Sequence, residues 1–357
     1  MHGTVWTVYN IAVLYIGAVI GAGFASGQEI LQFFIVFEKK GLWGIVLAAA
    51  LFSLLGGLVM LLAVSVRSAS YNDVYRLVMG RIPGRIMDGL SLVMLPGGLV
   101  VMLAGGSAVF SEHLGLPGWL GTMLIAGVTI AILSRGLKGV VTANAALVPL
   151  KVAVILLICF LTLIYSGEGA GGEINHGSSA GSRVNWLWSA ILYVSYNMVV
   201  PVAVLSSLGG KVTAREGVLG GVAGGIVLGL VTAMVYLAGR IFYPQITGYE
   251  VPLLYIAGQM GSVVKVALGP LIWLAILTTA IADAHGFASR FADARTRRYK
   301  LIGTALVLMA VPLSTLKFSY LVGMLYPLFG YVGLILLIAL LAVLPVKIWR
   351  RIFYKSV

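Results

Sequence analysis

A chain of 357 residues that is 60% hydrophobic and 10% charged, with a mean hydropathy of +1.05, cannot build a water-facing surface, since soluble domains carry roughly 25% charged residues. Its formal net charge of +13 would suggest nucleic acid in a soluble protein; here it fits the positive-inside bias of a bacterial-type inner-membrane protein in contact with lipid, with no nucleic acid as partner. The single cysteine, Cys159, lies in an apolar run and excludes an internal disulfide or a multi-cysteine metal site.

Hydropathy resolves ten candidate spans, near residues 6–36, 43–66, 86–110, 119–134, 139–166, 185–207, 217–242, 266–289, 300–313 and 320–345. The expected fold class is an all-α polytopic membrane protein. No basic segment precedes the first apolar stretch, so it is expected to be a retained span. It reads YIGAVIGAGFASGQEILQFF, with Gly17, Gly21, Gly23 and Gly27 crowding its middle, then Ser26, Gln28 and Glu29. Each glycine weakens a helix by about 1 kcal/mol relative to alanine. Unwinding at Gly21-Ala22-Gly23 would free amides that, with the helix dipole, favour an anion such as a carboxylate. The same glycines fit close helix packing, as Gly17-xxx-Gly21 does. Glu29 reads either as an outer gate or as a group solvated in a vestibule.

Lys151 sits deep in the fifth span, NAALVPLKVAVILLICF, where snorkelling is hard. A submerged lysine is expensive and is a functional-site candidate. In the sixth span Ser195, Tyr196 and Asn197 form a polar cluster ahead of Pro201. Proline removes a backbone donor and crowds the carbonyl four residues earlier, that of Asn197, which predicts a break, or else an ordinary kink. Two interrupted helices at matching places in two halves are the best sequence pointer to a transport site. Residues 245–265 are apolar but punctuated, and predict a short helix lying over one face. In the eighth span Thr278 and Thr279 are mid-span hydroxyls, with Asp283 and His285 further along. The threonines are alternatively bonded back to their own helix, Thr279 to Ala275, and Asp283 and His285 alternatively sit in a wet vestibule.

Connections after even-numbered spans and the C-terminal tail hold seventeen of the 24 Lys and Arg residues, against six on the other side. That split puts both termini in the cytoplasm. Residues 1–166 and 185–357 then form two five-span halves joined by an extracellular loop at 167–184. An odd span number inverts the second half, an architecture recurrent in transporters.

The segments YIGAVIGAGFASGQEI, NAALVPLKVAVILL and LAILTTAIADAHG resemble the amino acid–polyamine–organocation superfamily with the LeuT-type inverted repeat, and within it the bacterial YkvI-like membrane proteins. The resemblance implies ten helices as a 5+5 inverted repeat, the first and sixth broken at mid-membrane. It implies that Gly21, Ala22, Gly23 and Ser26, with Ser195, Tyr196 and Asn197 opposite, hold the substrate. It also implies a Na+ site from Gly17, Ile20, Ala275, Thr278 and Thr279. Lys151 falls where proton-coupled members place a lysine in that cation site, so H+ and Na+ coupling both stay open, with Asp283 and His285 as a proton path and Glu29 as a gate. Many members of the superfamily have twelve spans where ten are read here.

The expected activity is cation-coupled symport of an amino acid or related zwitterion, with no cofactor beyond the coupling ion. An uncoupled exchanger or uniporter is the alternative. A membrane-embedded enzyme lacks support, since the histidines are scattered, no HExxH stands in the sequence and Asp283 is the one deeply placed aspartate. No sequence feature sets an oligomeric state.

Overall fold

A computed structural model describes residues 2–68, 70–135, 138–165 and 185–353, with side chains at 4–68, 70–134, 148–165 and 185–343. Among these residues every regular element is helical, as it must be where lipid offers the backbone no hydrogen bonds. The first span comes in pieces: α1 (His2–Val19), α2 (Ala22–Ser26) and α3 (Gln28–Phe33), followed by a 3-10 turn at Ile35–Phe37. Then come α4 (Lys39–Ser65), α5 (Tyr71–Met79), α6 (Arg81–Leu114), α7 (Gly118–Arg135) and α8 (Lys138–Tyr165). The second part of the chain forms α9 (Trp186–Ser206), α10 (Ala214–Ile241), α11 (Pro252–Gln259), α12 (Ser262–Ser289), α13 (Arg297–Leu313) and α14 (Phe318–Phe353).

Among the described residues seven helices are long and apolar enough to cross a membrane: α4, α6, α9, α10, α12 and the stretches Val148–Tyr165 of α8 and Phe318–Val343 of α14. Thr4–Val19, Gln28–Phe37 and Gly118–Ser134 are shorter apolar helices. The chain is a multi-pass helical membrane protein. The linking segment 167–184 lies outside the described residues, as do the side chains of Arg135, Lys138 and the basic tail that enter the charge split.

Of two local features, the helix α5 departs from the hydropathy reading and the short helix expected within 245–265 is present. α5 is too polar to register as a span, and a capping box holds its start, the Ser70 and Asp73 side chains each serving the other's backbone amide. The punctuated region 245–265 gives a 3-10 turn at Gln245–Gly248 and then α11. Gly261, at φ +127°, separates α11 from α12.

The expected break in the sixth span is absent. α9 runs unbroken through Pro201. A single proline frees one carbonyl, and α9 stays in register because it packs along α4 on one side and α14 on the other. The nearby polar groups turn back on the helix, Ser195 Oγ donating to the Ile191 carbonyl at 2.6 Å and Asn197 Nδ2 to the Tyr193 carbonyl at 3.1 Å.

The tightest seam joins α4 to α10 at glycines. A Cβ on Gly221 would meet the backbone of Gly56 and Gly57, and one on Gly225 the backbone of Ser53. Other contacts come in matched sets: α1 lies on α10 as α9 lies on α4, α8 touches α10 and α12 as α14 touches α4 and α6, and α6 and α7 face α12 and α13.

Candidate functional site

The break in the first span is where the helix-weakening glycines put it. After Val19 the Gly21 amide donates to the Val19 carbonyl at 2.8 Å, and the chain resumes helical structure at Ala22. Gly27 then adopts φ +83°, a left-handed turn open to glycine, and separates α2 from α3. Gly17 behaves as a packing residue, since a Cβ there would strike the Val148 side chain of α8.

A cavity of about 340 Å3 begins at this break, within the range of small-molecule pockets. Gly21, Ala22, Glu29 and Asn197 line its deep end, and it runs between α6, α9, α12 and α14 to Tyr71, Ser289 and Arg290 at the more basic end of the bundle. At that mouth Tyr71 donates to the Asp88 carboxylate at 2.9 Å, and Arg290 pairs with the same carboxylate while lying 5.0 Å over the Tyr71 ring. Burial, then the Asp88 hydrogen bond, pushes the Tyr71 phenol up to about 12, so it stays a donor at neutral pH.

At the deep end Glu29 is 3% exposed and lies in the cavity wall. Its carboxylate stands over Gly23, where a Cβ would collide with it and with the Tyr326 ring. The Phe24 amide, the Tyr196 hydroxyl and the Asn197 side chain surround it, yet Glu29 Oε2 and the Tyr196 hydroxyl close no hydrogen bond. Beyond it a run of ring contacts fills the bundle: Phe34 on Tyr193, Tyr193 on Tyr196, Phe33 on both tyrosines, and Tyr196 on Tyr326 at 5.0 Å between centroids.

Lys151 is 4% exposed and points its Nζ at the Ile20 carbonyl across 3.5 Å. The carbonyl freed by the break therefore faces an ammonium from α8. Thr278 and Thr279 donate to the Ala275 carbonyl at 3.1 and 2.9 Å, the back-bonded arrangement, and Thr279 also lines the cavity beside Gly21.

The remaining expected residues divide. Tyr196, Asn197 and Asp283 line the cavity. Ser195 does not: its backbone packs on Gly333 of α14 and its hydroxyl bonds back to α9. Ser26 is buried and donates to the Gly23 carbonyl at 2.8 Å. Asp283 and His285 are two residues apart on one helix and so point apart; His285 shares a 2.7 Å hydrogen bond with Tyr299 of α13, away from the cavity. Sequence reasoning missed Tyr326 and Phe329 of α14, Gly98 and Met102 of α6, and Arg290, all in the cavity wall. Among the described residues no three His, Cys, Asp or Glu side chains gather in a way that would hold a metal ion.

No family model matches the chain. It is similar to two proteins of Bacillus subtilis strain 168. The membrane protein YkvI is 29% identical over 93% of this chain and 94% of its own length. The protein YyaD is 32% identical over 95% of this chain and 97% of its own. Three solved structures share the fold at a TM-score of 0.59. Mhp1 in an inward-facing conformation is 15% identical, covering 92% of this chain and 73% of its own. MhsT in complex with L-phenylalanine is 18% identical, covering 91% and 87%. A Na+-coupled sialic acid symporter in its substrate-bound outward-open state is 13% identical, covering 88% and 74%.

Proposed function

From the membership of this chain in the family of the Bacillus subtilis proteins YkvI and YyaD, and from its LeuT-type fold, we propose that it is a cation-coupled secondary transporter that moves an amino acid or related small amine-bearing solute by alternating access. The observation that carries this reading is the break at Ile20–Gly21, which opens a membrane helix onto a cavity of about 340 Å3. Irregular backbone survives at membrane depth where it lines a cavity or is buried in protein. The matched helix contacts support ten spans in two inverted halves. With both termini in the cytoplasm of a bacterial inner membrane, the cavity mouth at Arg290 faces inward.

Coupling centres on Lys151. A sodium ion near the Ile20 carbonyl would lie close to the ammonium, and at 4 Å two unit charges repel by about 4 kcal/mol at an effective dielectric of 20. Lys151 therefore stands in for sodium, and proton binding there ties α1, α8 and α12 together. The test is uptake into proteoliposomes with sodium and pH gradients imposed separately. Concentrative uptake driven by the pH gradient is expected, whereas exchange that ignores both gradients would favour an uncoupled carrier.

A further inference from the structure

The amides at the helix break already have a carboxylate of this chain beside them, with the Phe24 amide directed at it. Glu29 is 97% buried by its 3% exposure, stands over Gly23 beside the Phe24 amide, and has an oxygen, Oε2, with no hydrogen-bond partner. A carboxylate on the cargo brought to the same amides would meet Glu29 at close range. The rest of the cavity wall repeats the pattern. Asp283 lines it with no hydrogen-bond or ion-pair partner among the described residues, and a Cβ on Gly98 would touch its carboxylate. The basic side chain on the wall, Arg290, is spent on Asp88 at the mouth, and Lys151 faces Ile20 rather than the cavity. Among the described residues the lining therefore carries two carboxylates that face no cation. A carboxylate oxygen buried without a partner, as Glu29 Oε2 is, is costly, and a cation entering the cavity relieves that cost. The rings of Tyr196, Tyr326 and Phe329, which also line the wall, suit such a group, since aromatic faces attract ammonium and guanidinium.

We infer that the cargo is an organic cation, an amine or guanidine without a carboxylate of its own, held by Glu29 and Asp283 against Tyr196 and Tyr326. This rests on the transport reading above and narrows its substrate class. In this arrangement Glu29 fills the place that the helix break otherwise offers to a substrate carboxylate.

Matched pairs that differ by the carboxylate test it: agmatine against arginine, putrescine against ornithine, and tryptamine against tryptophan. Binding is measured by calorimetry on the purified full-length protein, and flux in proteoliposomes of the same preparation. The amine of at least one pair is expected to bind at least tenfold more tightly than its parent amino acid. Glu29→Gln should weaken that amine tenfold or more, and Asp283→Asn should weaken it too, with unchanged thermal midpoints marking intact folding; if Glu29→Gln unfolds, Asp283→Asn carries the test. Parent amino acids that bind and are concentrated while their amines are not would overturn the inference and leave the transport reading standing. Amines that bind through Glu29 but cross under no gradient would leave the inference standing and remove the transport reading.

Discussion

Gly23 and Lys151 are the two residues at which substitution tests the proposed site most directly. Gly23 leaves room for the Glu29 carboxylate and the Tyr326 ring, so a side chain there displaces one or both. Gly23→Leu is expected to abolish ligand binding, at a folding cost of about 1–3 kcal/mol for the overpacked core, and Gly23→Ala to weaken binding by pushing Glu29 off the break. Calorimetry beside a thermal melt separates the two effects; wild-type affinity in a folded Gly23→Leu would reduce the glycine to a packing device. At Lys151 the expected result of substitution by alanine is loss of uptake driven by a pH gradient, with Thr278→Ala milder because its hydroxyl is already turned onto Ala275. Uptake that needs sodium, ignores the pH gradient and survives in Lys151→Ala would hand the site to sodium.

The helices show which signals in the sequence were legible. The break between α1 and α2 was readable because glycines cluster within one turn, and a propensity penalty concentrated there acts locally. The expected break in α9 failed because Pro201 costs one backbone bond, and packing against α4 and α14 outweighs it. Tyr326, Phe329 and Gly98 carried no signal, since an aromatic or a glycine in an apolar span looks the same whether it faces lipid or a cavity. Ser195 and His285 carried a false one: polar residues in a span satisfy themselves against their own helix or a neighbour. The glycine seam makes a prediction of its own. Gly221→Ala puts a methyl into the backbone of Gly56 and should lower stability by about 1–3 kcal/mol, read as a lower thermal midpoint in detergent. At the end opposite the mouth, Glu112 accepts from the Glu250 and Val251 amides at 2.6 and 2.9 Å, and Glu250 accepts from the Ser319 amide at 2.7 Å. The two carboxylates tie α11 to α6 and α14, so Glu112→Ala should raise the reactivity of a cysteine placed at Leu253, which is 1% exposed.

Across the whole molecule the account joins a sidedness to a cavity. The charge split predicts that cysteines replacing Arg81 and Arg297 label from the cytoplasm alone, and one replacing Ser178, in the linking segment, from outside alone; same-side labelling of the first and last would overturn the span count. The Arg290–Asp88 pair at the mouth is about a third exposed, so it contributes at most about 1 kcal/mol and is weak enough to open and close in each cycle. Alternating access is the central claim, and Ala18, on the cavity wall one turn before the break, reports on it most directly. In a Cys159→Ser background, a cysteine at Ala18 is exposed to a membrane-impermeant thiol reagent from either face of sealed vesicles, with and without an imposed pH gradient. The account predicts reaction from the cytoplasmic face at rest, and a shift of reactivity to the opposite face as the gradient drives the carrier outward. Reaction from both faces at once, as in an open pore, or from neither under any gradient, would contradict it.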